Sequence, residues 1–404
     1  MSLSRKGFLK MLGLGALAAG TKAYALPGRA LEEARAAAKK LKITDVEIFL
    51  FDIPLTSPFR ISIGELSAAN DLLIRVHTDQ GVTGIGEACP FPPITGETQA
   101  TNAAAARTIR DMIKGKDPLA IDDLLRQIGA MVHSNPSTVA AYEMAFFDIL
   151  GKVAGLPLFR LFGGTKNVFE TDITTGLDTL EAMRDEAKGH ADKGYKTLKV
   201  KVGLDPDEDY AHIEAIRSAV GPKVNIRIDA NQGWSVPQAI YGLKKMAPLG
   251  IQFCEQPVVA SDTAGLKTVR SESPVPIMAD EAVFGPADAI KLIRAEACDT
   301  FNIKLMKAGG MLNSIRIAHI ADAANMRCMV GCMLETRLGL TAAAHVVASQ
   351  ANIIYADLDG SADQTIDPIV DGITVQAGTL TLPEKPGLGC DVDPAFVKKL
   401  PRVA

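Results

Sequence analysis

Residues 197–229, TLKVKVGLDPDEDYAHIEAIRSAVGPKVNIRID, contain a strand, a helix and a second strand, and this unit decides the fold. The first strand ends at Lys201, an amphipathic helix runs from Asp207 to Val220, and the second strand ends at Asp229. Strands joined through a helix run parallel, because a parallel pair needs a long crossover connection. The stretch therefore predicts an α/β fold with a parallel sheet.

The same pattern repeats on both sides of this unit. Eight short strand-like runs end in a polar residue or glycine at nearly even intervals, near Thr174, Lys201, Asp229, Glu255, Asp280, Lys304, Gly331 and Asp357. Eight even repeats fit a closed barrel better than an open sheet, whose crossovers vary in length. After the eighth run no long helix follows, and residues 373–382 form a predicted hairpin around Gly378. We predict a (β/α)7β-type TIM barrel with its active site at the carboxyl ends of the strands.

The chain of 404 residues is too long for one ordinary core, and its first half has a different pattern. Strands near 43–50, 71–78 and 83–87, followed by Ala-rich helices, predict an α+β segment. We expect an N-terminal capping domain over residues 42–165, the barrel over residues 166–370, and a C-terminal segment, residues 371–404, that returns to the capping domain and completes it.

The first residues have the composition of an export signal. Residues 4–10 carry positive charge, residues 11–20 are apolar, and Ala23-Tyr24-Ala25 matches an A-x-A cleavage site. We expect a signal peptide over residues 1–25 with cleavage near Ala25, a spacer over residues 26–41, and an exported, periplasmic protein. The apolar run is too short for a stable membrane anchor, which needs about 20 residues.

The pair Arg5-Lys6 resembles a twin-arginine signal in which lysine replaces the second arginine. The six cysteines lack the spacing of a disulfide framework, so we expect buried thiols in a protein that folds before export.

The charge of the chain limits the class of ligand that it can bind. A net charge of −4 without a basic run argues against a nucleic-acid partner and favours a small molecule.

Three neighbouring predicted strands end in carboxylates, namely Asp229, Glu255 and Asp280. Carboxylates held close together repel, which raises their pKa values unless a cation lies between them. One such acid would be an ordinary exposed residue, but three in register predict an oxygen-ligand site, and Mg²⁺ fits it best. We expect one Mg²⁺ per subunit, with Mn²⁺ as a substitute. The residues expected to support these ligands are Asn231, Gln256 and Glu281.

Lysines flank this carboxylate triad. Because side chains alternate along a strand, Lys199 and Lys201 both face the barrel interior, where Lys199 could lower the pKa of Lys201 by its like charge. Lys304 ends the sixth strand, opposite the second in an eight-stranded barrel. Either lysine alone could be a solvent-facing strand end. Together with the triad, Lys201 and Lys304 are the predicted acid/base pair, removing a proton from one face and returning it on the other.

These motifs resemble the enolase superfamily, muconate-lactonizing subgroup. The resemblance covers roughly residues 42–390 and is carried by Lys199-x-Lys201, Asp229-Ala230-Asn231, Glu255-Gln256-Pro257, Ala279-Asp280-Glu281 and Asn302-Ile303-Lys304 through Gly309-Gly310. It implies a substrate carboxylate bound to Mg²⁺, beside which an α-proton becomes acidic.

Asp357 and Asp359 share a face at the end of the eighth strand, and two carboxylates suit a substrate ammonium. The pair resembles that of dipeptide epimerases, which implies that it holds the N-terminal amine; two solvated loop acids are the plain alternative. The segment ending in Met333 resembles the same pattern, although packing would also explain it. Thr174, at the first strand end, is a candidate contact for the substrate backbone or an ordinary strand residue.

Side-chain selectivity is expected from the capping-domain loop 57–66, closing over the barrel mouth and excluding water. The resemblance implies that Ala-Glu epimerases carry an arginine late in this loop. Here Ile63, Gly64 and Leu66 occupy that part, and Arg60 lies nearer the start. We therefore expect an uncharged or hydrophobic second residue in the substrate, with Arg60 as a further substrate contact.

The predicted function is Mg-dependent epimerisation at the C-terminal residue of a dipeptide with a free N-terminus, by an isomerase that forms a homo-oligomer. Exported location suggests peptidoglycan peptides as its source of substrate. A cycloisomerase or N-acylamino acid racemase of the same superfamily would share the lysines and the triad without needing the aspartate pair. An exported, non-catalytic dipeptide-binding protein would keep the aspartate pair but have no use for opposed lysines.

Overall fold

The computed structural model describes residues 41–404. The predicted signal peptide lies outside the described residues, as does the predicted spacer apart from Leu41. Within residues 41–404, none of the helices is both long and apolar enough to cross a membrane. The six cysteines are all in the described part, and all are buried free thiols, as predicted.

The capping domain begins with an antiparallel sheet of three strands in sequence order, β1 (Ile43–Ile61), β2 (Gly64–Thr78) and β3 (Thr83–Ala88). Five helices follow, α1 (Pro92–Thr95), α2 (Gln99–Ile113), α3 (Ile121–Met131), α4 (Pro136–Ala154) and α5 (Leu158–Leu161). The long helix α4 packs against β3. Pro136 suits its first turn, where a backbone N–H has no partner inside the helix, and Gly155 ends it at φ 68°.

After the short strand β4 (Val168–Glu170), eight parallel strands form the barrel. Their bounds are β5 (Ile173–Thr175), β6 (Thr197–Lys201), β7 (Asn225–Asp229), β8 (Ile251–Glu255), β9 (Ile277–Ala279), β10 (Thr300–Lys304), β11 (Arg327–Gly331) and β12 (Ile353–Asp357). Every predicted strand end agrees with the observed end to within one residue. The hydrophobic periodicity was sufficient because each strand is bounded by polar or glycine residues.

Helices cover the outside of the barrel between successive strands, and none follows β12 before the next strand. They are α6 (Leu180–Asp192), α7 (Pro206–Val220), α8 (Val236–Met246), α9 (Thr263–Glu272), α10 (Pro286–Ala295), α11 (Leu305–Ala308), α12 (Met311–Ala323) and α13 (Arg337–Ser349), with a 3-10 turn at Ala247–Leu249. The ring closes where the backbone N–H of Asp172 donates to the carbonyl of Ala356 at 3.3 Å. This is the predicted (β/α)7β arrangement.

The barrel interior is filled below the strand ends. The guanidinium of Arg227 contacts Asp172 Oδ2 at 2.5 Å and lies 4.5 Å from the ring centre of Tyr355 and 5.2 Å from that of Phe253. A buried arginine is tolerated here because it has both a carboxylate and aromatic faces as partners. Side chains therefore occupy the barrel interior below the carboxyl-end rim.

The C-terminal segment returns to the first domain, which confirms that part of the predicted fold. It comprises β13 (Ile369–Asp371), β14 (Thr374–Gln376), β15 (Thr379–Thr381), β16 (Cys390–Val392) and α14 (Pro394–Val397). The predicted hairpin around Gly378 is β14–β15, and β15 also pairs with β4. Beyond α14, the carbonyl of Pro401 accepts the N–H of Leu50 at 2.9 Å, so the chain end lies along β1.

Candidate active site

The carboxylate triad lies where the sequence predicted it. Asp229 ends β7, Glu255 ends β8 and Asp280 follows β9, and all three side chains are fully buried. The backbone turns sharply after two of these strands, because Asn231 and Gln256 have φ values of 39° and 34°. Residues other than glycine adopt this left-handed conformation at an energetic cost, and such strain is concentrated at functional sites.

Of the three residues predicted to support the triad, Asn231 and Gln256 contact it directly, whereas Glu281 contacts Asn231. Gln256 Oε1 accepts the backbone N–H groups of Asp280 at 2.9 Å and Ala282 at 3.1 Å, which fixes the turn after β9. The Asn231 amide donates to Glu281 Oε1 at 3.1 Å. These side chains therefore tie the ends of β7, β8 and β9 to one another.

Lys201 and Lys304 approach the triad from its two sides. Lys201 Nζ lies 2.7 Å from Asp229 Oδ2 and 2.9 Å from Asn231 Oδ1. Lys304 Nζ lies 2.9 Å from Asp280 Oδ2. Since β6 and β10 flank the three strands that carry the acids, the two ammonium groups lie at opposite ends of the triad. This is the arrangement that proton removal and return on two faces requires.

Lys199 lies among carboxylates. Its Nζ is 2.7 Å from Asp357 Oδ2 and 3.1 Å from both Asp229 Oδ2 and Glu255 Oε2. Burial opposes its charge, but Asp357 and Glu255 outweigh burial and raise the pKa of Lys199 well above its usual value. Lys199 is thus a fixed counter-ion, and its predicted effect on Lys201 stays a prediction.

The triad fits a divalent metal ion. Burial opposes ionisation of Asp229, but Lys201 and Lys199 outweigh it and lower the pKa of Asp229 to about 2. Burial and the charge of Asp229 raise the pKa of Glu255 well above its usual value. Glu255 Oε2 and Asp280 Oδ2 are buried oxygens that receive no well-directed hydrogen bond from the described residues. Buried oxygens that need positive charge are suitable ligands for Mg²⁺.

The two aspartates at the end of β12 have different partners. Lys199 binds Asp357, as described above, whereas Asp359 Oδ2 accepts the backbone N–H of Thr174 at 2.6 Å. Asp359 Oδ1 lies 3.8 Å from Cys332 Sγ. Burial and the neighbouring Asp357 raise the pKa of Asp359 to about 6. Asp359 is therefore the member of the pair that most needs a further cation.

The lysines and Asp359 line a cavity whose other walls are largely apolar. These walls come from β1, from α1 and from the loop after β11, and the side chains are Phe59, Ile61, Phe91, Ile94 and Met333. The predicted loop 57–66 is the end of the β1–β2 hairpin. Ser62 Oγ at its tip lies 2.9 Å from the carbonyl oxygens of Ala230 and Asn231, which holds the hairpin against the barrel rim.

Arg60 does not line this cavity, and its predicted contact with the substrate stays a prediction. Side chains alternate along β1, and Phe59 and Ile61 face the cavity. Arg60 therefore points away, where its Nε lies 2.6 Å from Glu65 Oε2, and half of its side chain is exposed. Glu65 is its direct cross-strand partner in the hairpin.

Several site residues were not predicted. Phe91 and Ile94 belong to the other domain, and nothing in their local sequence indicates the barrel mouth. Asn302 could have been found, because it shares a strand face with Lys304. Its amide donates to Glu255 Oε1 at 2.8 Å. Gly331 leaves room for it, since a Cβ there would lie 2.6 Å from Asn302 Oδ1.

Two models of known protein families match most of this chain. Residues 43–163 match the mandelate racemase / muconate lactonizing enzyme N-terminal domain, and residues 182–396 match the enolase C-terminal domain-like family. The chain belongs to the enolase superfamily. Within this superfamily, the L-Ala-D/L-Glu epimerase of Bacillus subtilis (strain 168) is 40% identical over 353 residues, which are 86% of this chain and 96% of the relative.

Solved structures of the same superfamily are similar to this chain over most of its length. The dipeptide epimerase of Cytophaga hutchinsonii, complexed with Mg and D-Ala-L-Val, has a TM-score of 0.88 and 37% identity, covering 89% of this chain and 99% of that one. The dipeptide epimerase of Enterococcus faecalis V583, complexed with Mg and L-Leu-L-Tyr, has a TM-score of 0.85 and 38% identity, covering 87% and 99%. The resemblance inferred from the sequence motifs is confirmed.

Proposed function

We propose that this member of the enolase superfamily is a dipeptide epimerase. It inverts the α-carbon of the C-terminal residue in a dipeptide with a free N-terminus. The observation that carries the proposal is the placement of Lys201 and Lys304 at opposite ends of one buried carboxylate triad. Similarity to epimerases that bind dipeptides supports the substrate class.

Asp229, Glu255 and Asp280 would hold one Mg²⁺ per subunit, and Mn²⁺ is expected to substitute for it. When bound, the metal ion supplies positive charge beside the substrate carboxylate, which makes the neighbouring α-proton more acidic. The presence of Mg in both solved relatives supports this assignment.

The two lysines perform the proton transfer. One lysine, as a neutral amine, takes the α-proton from one face of the substrate, and the other, as an ammonium, gives a proton to the opposite face. The substrate keeps its composition while its configuration is inverted, and the two lysines exchange protonation states. Lys199 stays charged among its three carboxylates and holds Asp357 in place.

The amine end of the substrate is assigned to Asp359. Among residues 41–404, this carboxylate accepts hydrogen bonds from the backbone N–H of Thr174 and the thiol of Cys332, and no lysine or arginine pairs with it. A charge-assisted bond from a substrate ammonium would complete its coordination. An N-acylated amino acid or a muconate carries no such ammonium, so the pair argues against the racemase and cycloisomerase alternatives.

The side chain at the inverted carbon is proposed to be uncharged or hydrophobic. Ile61, Ile94 and Met333 offer apolar surface on the cavity wall, and Arg60 is turned away and paired with Glu65. A carboxylate side chain would therefore lose its hydration without gaining Arg60 as a partner, which is costly. The L-Leu-L-Tyr complex of the Enterococcus faecalis relative supports this choice.

We further propose that the protein is exported, that its signal peptide is removed near Ala25, and that the mature enzyme is a homo-oligomer without a membrane anchor. The basic, apolar and A-x-A segments support export. Peptides released from peptidoglycan would be its substrates there. N-terminal sequencing of the protein from a periplasmic fraction, with light scattering of the purified enzyme, would test these points.

The direct test of activity is a dipeptide library incubated with enzyme and Mg²⁺ in D₂O. Mass spectrometry should show one deuterium entering dipeptides with a free amine and a hydrophobic second residue. The matched N-acetylated peptides should not exchange, whereas an N-acylamino acid racemase would prefer them. If no dipeptide gains deuterium, the epimerase proposal is wrong, and equal binding by wild type, Lys201→Ala and Lys304→Ala would favour a binding protein.

A further inference from the structure

Proton transfer leaves one buried lysine next to the site without a role. Lys307 lies on α11, a single helical turn that begins directly after Lys304. Its side chain has no exposed area. Its Nζ contacts both Asp280 Oδ1 and the carbonyl oxygen of Asp280, and it lies 3.2 Å from the carbonyl oxygen of Asn302. Lys307 is thus fixed by three acceptors.

Two lysines bind the same carboxylate through different oxygens. Lys307 contacts Oδ1 of Asp280, and Lys304 contacts Oδ2 at 2.9 Å. The oxygen that Lys304 contacts, Oδ2, receives no well-directed hydrogen bond from the described residues. Oδ2 is therefore the oxygen that can leave Lys304 and bind a metal ion, whereas Lys307 holds Oδ1 in place.

The turn that carries Lys307 is anchored in the capping domain. Gly309 and Gly310 end this turn with φ values of 79° and 123°, and a Cβ on Gly310 would lie 1.8 Å from Glu143 Oε2. Glu143, a buried residue of α4, accepts the backbone N–H of Met311 and that of Leu312 at 3.1 Å. A continuous set of contacts thus links α4 to Asp280, and it accounts for the Gly309-Gly310 motif.

We propose that Lys307 is a positioning residue, which anchors Asp280 through Oδ1 so that Oδ2 faces the divalent ion and Lys304 is released for proton transfer. Without Lys307, both oxygens of Asp280 would be free to pair with Lys304. That buried ion pair would compete with the metal ion and keep Lys304 from the substrate. The inference rests on the proposed function for the role of Lys304, but its effect on metal binding does not depend on any substrate.

Calorimetric titration of the full-length protein with Mg²⁺ alone tests the proposal. Lys307→Met should raise the dissociation constant for Mg²⁺ roughly 10- to 100-fold, as loss of a residue that orients a metal ligand commonly does. Lys307→Gln keeps an N–H donor for Oδ1 and should cause a smaller rise. This order, Met above Gln, is not expected of a residue that only stabilises the fold.

Lys152→Met is the matched control, because Lys152 pairs with another buried carboxylate, Asp148, at 2.6 Å within α4. It should lower the melting temperature without changing Mg²⁺ affinity. An unchanged or lower dissociation constant in the Lys307 variants, or an equal rise in Lys152→Met, would overturn the proposal; if Lys307→Met does not fold, Lys307→Gln decides. A shifted Mg²⁺ affinity without deuterium uptake by any dipeptide would refute only the epimerase assignment.

Discussion

The barrel rim and the boundary between the capping domain and the barrel each bury a group of carboxylates. The rim group, Asp229, Glu255, Asp280 and Asp357, is paired with lysines. The boundary group consists of Asp71 on β2, Glu87 on β3 and Glu335 after β11. Among the described residues, no ion pair involves a member of the boundary group. Glu87 and Glu335 accept hydrogen bonds from backbone N–H groups and a hydroxyl, whereas neither carboxylate oxygen of Asp71 has a hydrogen-bond partner there.

The difference shows how strongly a lysine partner can change the charge of a buried aspartate. At the rim, lysines keep Asp229 ionised, with a pKa of about 2 despite its burial. At the boundary, burial and the nearby Glu87 raise the pKa of Asp71 well above its usual value, and burial raises that of Glu335 to about 8. Asp229 therefore stays charged and can exchange its lysines for a metal ion, whereas Asp71 and Glu335 keep their protons to a higher pH.

The largest expected effect concerns the rim lysines. Lys201→Ala and Lys304→Ala should each lower epimerisation roughly 10²- to 10⁴-fold or more, since each removes one of two proton-transfer groups. Each variant should still exchange the α-proton of one epimer in D₂O, and the two variants should prefer opposite epimers. Proton NMR of both epimers measures this. Loss of exchange for both epimers in both variants would contradict the assignment of one lysine to each face.

The rim acid without a lysine should be the amine site. Asp359→Asn should lower kcat/KM for free-amine dipeptides, mainly by raising KM, because a substrate ammonium would lose its charged partner. The loss corresponds to about 2–5 kcal/mol of binding free energy. Asp363→Asn changes an exposed acid of the same loop and should have little effect. Steady-state kinetics on both variants check the prediction. An unaltered KM in Asp359→Asn would place the amine elsewhere.

The boundary group should make the free energy of unfolding depend on pH. A raised pKa means that folded Asp71 binds its proton more tightly than the unfolded chain, where the value is about 3.9. The free energy of unfolding therefore falls as pH rises above about 4, toward the folded pKa. Asp71→Asn removes this equilibrium, so the variant should gain on the order of 1–3 kcal/mol over wild type between pH 4 and pH 8.

Urea unfolding at several pH values measures that gain. Asp111→Asn, at an exposed position, is the control and should follow the wild type at every pH. A constant difference between Asp71→Asn and wild type across this range would show that Asp71 is ionised when folded, as Asp229 is. The contrast between the two groups would then disappear.

The smallest effect is expected at the contact that joins the two domains over the rim. Ser62→Ala removes the hydroxyl that holds the hairpin to the carbonyl groups of Ala230 and Asn231. A single hydrogen bond contributes about 0.5–1.5 kcal/mol, so kcat/KM should fall a few-fold. Ser67→Ala, an exposed serine of the same hairpin, is the matched control. An equal effect in both variants would argue against a specific contact at the tip.

The barrel was predictable because its signal is local. Each strand ends in a polar residue or glycine, and a side-chain period of two fixes which residues face inward. Lys199, Lys201 and Lys304 were therefore placed correctly on their strands, and so were Asp229, Glu255 and Asp280. The parallel topology then brings these ends together without any further information, because neighbouring strands in the barrel follow the order of the chain.

The sequence by itself thus determined the barrel, the triad and the two flanking lysines, since these depend on strand ends and periodicity. Only the tertiary structure decided the pairing of Lys199 with Asp357, the exclusion of Arg60, the apolar wall from Phe91 and Ile94, and the anchoring of Asp280 by Lys307. These features join side chains from distant segments or from different domains. Their distances depend on how the domains pack, which no local pattern specifies.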